Sequence, residues 1–274
     1  MTLSLSVLPD QLTKSEQRIL DFINTNAETF LFLSIGQLAE KLGVSDATIS
    51  RFARHAGFRD FKALKSAVLE QSSGPAAKIA GTLHHESGAT SSAWFESQIK
   101  NLSTTLERID PAAFAQAIEL ICESRRVFVY GKNASASLAQ MLHFRLRRLG
   151  INVLVLPSGG SEMLEGLNQA KEGDTVMFFA FSKISTECAI ILEQARRVGY
   201  STIAFTSRTI VPAEEQADVT LFACRGEEKE FHSMTAPVAL IDALTVAATR
   251  ELGDEGAESL KSLYQLKKEF FPEK

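Results

Sequence analysis

Two short apolar patterns that meet at a glycine constrain this chain more than any other feature. In Ile35-Gly36-Gln37-Leu38-Ala39-Glu40-Lys41-Leu42-Gly43-Val44, the residues Ile35, Leu38, Ala39 and Leu42 share one helical face. Gly43 suits the left-handed residue that ends such a helix, and Ser45 is a good cap for the next. On that second helix Ile49, Phe52 and Ala53 point inward, while Ala47, Thr48, Ser50, Arg51 and Arg54 lie opposite. Small, hydroxylic and basic residues on one face suit a helix laid in the DNA major groove, so the pair reads as a helix-turn-helix. Two packed helices in an ordinary helical domain share this pattern, and spacing alone leaves that reading open.

The run Leu38-Ala39-Glu40-Lys41-Leu42-Gly43-Val44-Ser45-Asp46-Ala47-Thr48-Ile49-Ser50-Arg51-Phe52, followed by Gly57-Phe58-Arg59-Asp60-Phe61-Lys62, resembles the N-terminal domain of the RpiR family of bacterial transcriptional regulators. In that family a helix-turn-helix domain precedes a sugar isomerase (SIS) domain that senses sugar phosphates. The resemblance implies that the rest of the chain is an SIS domain.

At 274 residues the chain has room for one small and one larger domain. Its net charge of −4 excludes a general polyanion binder, so any DNA contact relies on a local patch. Between Ser45 and Lys65 the basic residues Arg51, Arg54, Arg59, Lys62 and Lys65 outnumber Asp46 and Asp60. That excess is modest, and a dimer would present it twice. Cys122, Cys188 and Cys224 are scattered, which points to reduced thiols rather than disulfides or zinc. With neither a leader-like start nor an apolar run of about 18 residues, the expectation is a cytoplasmic protein without a membrane partner.

In chain order, Thr13-Lys14-Ser15-Glu16 predicts a capping box for a helix burying Ile19, Leu20 and Ile23. A further helix is predicted from Arg59 to Glu70. Gln71 to Ser92 has linker composition, with a short helix around Ala76 to Leu83. His84-His85 inside it lacks companion ligands and reads as solvated linker rather than metal site. Helices are then predicted over Trp94 to Ile109 and Pro111 to Cys122. After them short apolar strands (Val127–Tyr130, Val153–Leu156, Thr175–Phe181, Thr202–Phe205, Val219–Ala223) alternate with helices from Ala134, Ser161, Thr186 and Ala236. The expected fold is an all-α helix-turn-helix domain (1–74), a linker and connecting helix (75–106), and a doubly wound parallel α/β domain (107–274) ending in a helical tail.

In such sheets ligands sit beyond the strand carboxyl ends, where helix N-termini face anions. Gly131-Lys132-Asn133-Ala134-Ser135 and Ser182-Lys183-Ile184-Ser185-Thr186-Glu187 occupy such places, and they resemble the family's G-x-G-x-S turn and S-x-S-G-x-T-x-E loop. The resemblance therefore makes Lys132, Asn133, Ser135, Ser182, Lys183, Ser185 and Glu187 the candidate effector residues. Asn133 stands for a glycine, Ala180 for a serine, Lys183 for a glycine and Ser185 for a threonine. Either a lysine supplies positive charge to a phosphate, or Lys183 fills the cleft and the ligand is altered or absent.

For catalysis the available bases are Glu187, Glu230 and His232, with no paired acid and base at telling spacing, so no catalytic residue, metal or cofactor is assigned. The expectation is a homodimeric or homotetrameric repressor of carbohydrate or related catabolic genes, bound to double-stranded operator DNA and controlled by a small effector such as a sugar phosphate. Thr48 and Arg51 would read bases, Ser45, Ser50 and Arg54 would hold phosphates, and Ala47 would permit close approach. The alternatives are an SIS isomerase or lyase with a helical appendage, and a DNA-binding oligomer with a dead pocket.

Overall fold

The structure, a computed structural model, describes residues 11–84 and 90–271. It divides into two compact units, one comprising the described residues up to Ser97 together with Gly226–His232, the other Gln98–Arg225 and Ser233 onward.

The first unit is helical. Thr13 caps α1 (Lys14–Thr25) in a complete capping box, its hydroxyl accepting from the Glu16 amide while Glu16 accepts from the Thr13 amide. The six-residue α2 (Ala27–Phe32) follows, which the sequence reading did not anticipate, and Ser34 caps α3 (Ile35–Leu42) in a second capping box. Gly43 takes the left-handed conformation (φ 62°), turning the chain into α4 (Asp46–His55), which Ser45 caps. Asp60 caps α5 (Phe61–Gln71), and α6 (Pro75–His84) lies within the stretch of linker composition. Ile19, Ile23, Phe30, Leu38, Ile49, Phe52 and Leu64 are fully buried in one core. His85 of the histidine pair lies outside the described residues.

Helix α7 (Ser91–Arg108) leads into the second unit, where α8 (Pro111–Glu123) starts with proline in its first turn under an Asp110 cap. Strands β1 (Val127–Tyr130), β2 (Val153–Val155), β3 (Thr175–Phe179), β4 (Ser201–Thr206) and β5 (Val219–Phe222) form one parallel sheet in the order β2-β1-β3-β4-β5. Helices α9 (Ser135–Arg147), α10 (Gly160–Leu167), α11 (Thr186–Val198) and α12 (Thr235–Phe270) complete the unit. Alternate strand residues feed two cores: Val127, Val129, Met177 and Phe205 pack with α8, α9 and α12, whereas Phe128, Tyr130, Val176 and Phe178 pack with α10 and α11. Burial on both faces explains strands that read as continuous apolar runs. Strand β3 ends at Phe179, two residues short of the predicted end, although the Ala180 amide still donates to the Phe205 carbonyl, and α12 is broken at Gly253 (φ 52°, ψ −122°), where the long apolar helix gives way to the tail.

At the opposite end of β3 from the strand carboxyl ends, the fully buried carboxylate of Asp174 receives Arg126 Nη2 (2.7 Å), Arg125 Nη2 (3.0 Å) and the Lys171 amide (2.9 Å). Burial pushes this carboxyl up, but Arg126, then Arg125 and the amide, outweigh it and hold it down at about 2. Asp174→Asn is expected to cost about 2–4 kcal/mol in urea unfolding, below the full figure for a broken buried pair because Arg125 is half exposed. Since the folded carboxyl lies below its ordinary value near 4, the contribution is complete above pH 4 and fades as the pH falls toward 2. The gap between wild type and Asp174→Asn should therefore close in acid.

Candidate functional site

On α4, Ile49, Phe52 and Ala53 are buried, and the opposite side carries exposed Ala47, Arg51 and Arg54. Ser45 is exposed as well, while Thr48 and Ser50 flank this face and are half buried. Ser45 Oγ accepts from the Thr48 amide (3.2 Å) and lies 2.9 Å from Thr48 Oγ1, to which Arg51 Nη2 donates at 3.4 Å. Ser45, Thr48 and Arg51 thus form one polar chain along the first turns of the helix, which restrains the Arg51 fork at little cost in entropy.

Neighbouring elements fix the pose of α4. Arg18 of α1 donates to the Leu42 carbonyl (2.6 Å) just ahead of the turn, and Glu16 lies 3.0 Å from His55 Nδ1 at the far end of α4. Burial raises the Glu16 carboxyl, but the Thr13 amide, the Thr13 hydroxyl and His55 outweigh it and lower it, so it stays an anion facing His55. The basic patch is smaller than the residue count suggests. Lys65 is half buried, its Nζ 5.8 Å from the Phe61 ring centroid, and Arg59 pairs with the α5 cap Asp60.

In the second unit three loops converge at the carboxyl ends of β1, β2 and β3. After β1, Gly131 must be glycine, because a Cβ there would lie 2.3 Å from the Ser135 carbonyl oxygen. Asn133 holds a left-handed conformation (φ 54°), the only non-glycine described residue to do so. Asparagine tolerates that region better than most side chains, so a left-handed residue stands where a second glycine was expected. Ser135 opens α9 and is half buried.

After β3, Ala180 continues the ladder into the core, its amide donating to the Phe205 carbonyl (2.9 Å), so this position offers no side chain to a ligand. Ser182 and Lys183 are exposed, and Ser185 caps α11 by accepting from the Cys188 amide (3.2 Å). Lys132 Nζ donates to Glu187 Oε1 at 2.6 Å, tying the first loop to the third. This hydrogen bond holds the Glu187 carboxyl down at about 2, while Glu187 Oε2 is buried without a hydrogen-bond partner among the described residues.

The loop after β2 is the part that sequence reasoning missed. Tyr130 donates to the Ser158 carbonyl (3.0 Å), and a Cβ on Gly159 would lie 3.2 Å from Glu187 Oε1. The signal available was the doublet Gly159-Gly160 at the start of a helix, separated from the preceding strand only by Leu156, Pro157 and Ser158. Lys132, Glu187 and the Ser158–Gly159 backbone therefore form the centre of this end of the sheet, with Ser185 beside them as a cap. Glu230 and His232, weighed as bases, group instead with the first unit. Among the described residues no group of three His, Cys, Asp or Glu side chains could hold a metal ion, and no described helix is long and apolar enough to cross a membrane.

Residues 2–75 match the family described as the helix-turn-helix domain of the rpiR family, and residues 119–247 match the SIS domain. The sugar isomerase domain of an RpiR transcription factor from Sphaerobacter thermophilus is 26% identical, covering 62% of this chain and 96% of that one with a TM-score of 0.58. The NanR protein of Vibrio vulnificus, solved in complex with ManNAc-6P, is 19% identical over 96% of both chains with a TM-score of 0.59, a likeness of fold.

Proposed function

This chain belongs to the RpiR family, with a helix-turn-helix domain and an SIS domain on one polypeptide, and we propose that it is a transcriptional repressor whose grip on operator DNA is set by a sugar phosphate. The observation that carries this reading is the outward face of α4, with Arg51 donating to Thr48, on the same chain as a sheet end where Lys132 pairs with the half-buried carboxylate of Glu187. Ser45, Ser50 and Arg54 hold phosphates, Thr48 and Arg51 read base edges, and Ala47 lets the helix backbone approach. A two-fold dimer places two such helices in successive major grooves, and the protein acts where the chromosome is, in the cytoplasm.

At the sheet end the α9 and α11 N-termini offer amides to an anion, and Lys132 exchanges Glu187 for a phosphate oxygen. Ser135, Ser182 and Ser185 supply hydroxyls to the sugar or the phosphate, Asn133 keeps the first turn in shape, and exposed Lys183 adds positive charge at the rim. Because Glu187 competes with the ligand for Lys132, Glu187→Gln should tighten sugar phosphate binding, and Lys132→Met should weaken it about ten- to a hundredfold. Isothermal calorimetry with hexose 6-phosphates, ManNAc-6P included, tests this pair. Equal affinities in both variants and wild type would remove the Lys132–Glu187 pair from the ligand site.

The second reading, an SIS isomerase or lyase, is favoured only by the presence of Glu187. As a base it is disarmed, since Lys132 keeps it a weakly basic anion with a carboxyl value of about 2. Proton NMR of the same compounds after overnight incubation separates the readings. Unchanged spectra fit a regulator, and conversion at enzyme-like rates would make the chain an enzyme.

A further inference from the structure

The connection from β5 to α12 has an unusual allegiance. Its two ends pair with each other in the second unit, where the Ser233 amide donates to the Arg225 carbonyl (2.9 Å) and Arg225 Nε donates to the Ser233 carbonyl (3.1 Å). The seven residues between them, Gly226–His232, belong to the first unit.

Within that unit the segment is closely fitted. The Phe231 amide donates to Thr82 Oγ1 (2.7 Å), Lys229 Nζ donates to the Glu70 carbonyl (3.1 Å), and Lys78 Nζ lies 3.0 Å from His232 Nδ1. The Phe231 ring meets Trp94 with centroids 5.8 Å apart. At Gly81 an added Cβ would lie 2.1 Å from the Lys229 carbonyl oxygen, so the absence of a side chain on α6 is what admits the segment.

The closed base of the segment reaches the candidate effector loop. The Arg225 guanidinium lies 4.5 Å from the centroid of the Phe181 ring, and Phe181 is the residue directly before Ser182. Arg225 therefore links the residue that precedes the Ser182–Glu187 loop to the base of Gly226–His232.

We propose that Gly226–His232 is a strap that carries the effector state of the SIS domain to the DNA-binding unit, by seating on or leaving the surface formed by Gly81, Thr82 and Trp94. This rests on the reading of the sheet end as an effector site. A seated strap restricts α6, which follows α5 of the DNA-binding unit, and a compound that favours one strap position shifts operator affinity through it.

Trp94 is the only tryptophan, so its emission reports the strap in the full-length protein. Gly81→Ala displaces the Lys229 carbonyl while improving helix propensity, and Phe231→Ala removes the ring from Trp94. Wild type and both variants are titrated with operator DNA at fixed salt, with and without the hexose 6-phosphate panel, while calorimetry independently scores binding of each compound.

The expected result is that a compound changes wild-type operator affinity about tenfold and shifts Trp94 emission. Both variants should still bind that compound, yet its effect on DNA affinity should fall below twofold. Variants that bind the compound and keep wild-type coupling overturn the strap. If calorimetry finds no binding to any protein, the effector class proposed above fails. The strap is then judged on operator affinity without compound, where an altered affinity, by about threefold or more in both variants, supports it and an unaltered one overturns it.

Discussion

Arg51→Ala should leave a folded protein that still binds DNA but no longer prefers its operator to random sequence. Arg51 is exposed on α4 and its hydrogen bond to Thr48, at 3.4 Å, lies on the surface, so truncation costs the fold little. A guanidinium fork on a base edge carries about 1–3 kcal/mol of discrimination, hence roughly a ten- to hundredfold loss of selectivity per half-site, incurred twice in a dimer. Arg51→Lys keeps the charge without the fork and should lose most of the same selectivity. Arg54→Ala should behave differently, weakening all sequences alike and flattening the salt dependence by about one ion per protomer. Competition binding with operator and scrambled duplexes at matched salt checks both. Unchanged selectivity in Arg51→Ala would take this residue out of the readout.

Phe52→Ala should have the largest effect on stability within the DNA-binding unit. Phe52 is fully buried among Ile19, Ile23, Leu38, Ile49 and Leu64, which come from α1, α3, α4 and α5. Removing the ring takes away its transfer energy and leaves a cavity that four helices must share, at about 3–5 kcal/mol. For a helical unit of this size the melting transition should fall by on the order of 20 °C. The sheet unit has separate cores, and its own transition should stay where it is. Phe32→Ala is the control, since Phe32 is 46% exposed and its loss should move neither transition by more than a few degrees. Circular dichroism melts of the full chain separate these outcomes, and a Phe52→Ala protein melting like wild type would contradict the packing described for α4.

Much of this architecture is legible in the chain because local signals and tertiary need agree. Thr13 and Glu16 announce α1, Gly43 and Ser45 mark the turn and the start of α4, and Thr186–Val198 reads as α11 from one residue past its cap Ser185 to one before Gly199. The alternating helices and apolar strands give the parallel sheet for the same reason.

The misses are features whose cause is distant or weak in sequence. Helix α2 is six residues long and shares Asn26 with the end of α1, so no separate start signal precedes it. The Lys132–Glu187 pair joins residues 55 apart in sequence, and only closure of the sheet brings them together. Asn133 departs from the expected glycine, and only the structure shows that it holds the left-handed conformation that a glycine would also accept. The run Glu227-Glu228-Lys229-Glu230 has the composition of a solvated loop, whereas the segment around it is placed by Gly81, Thr82 and Trp94, which lie some 150 residues earlier.

The decisive measurement is the affinity of the protein for the DNA upstream of its own gene, at fixed salt, with and without hexose 6-phosphates. Tight, sequence-selective binding is expected, which at least one of these compounds changes by about tenfold, an effect that Lys132→Met blunts. Binding that is no tighter to this DNA than to random duplex, or that no compound alters, would contradict an effector-controlled repressor.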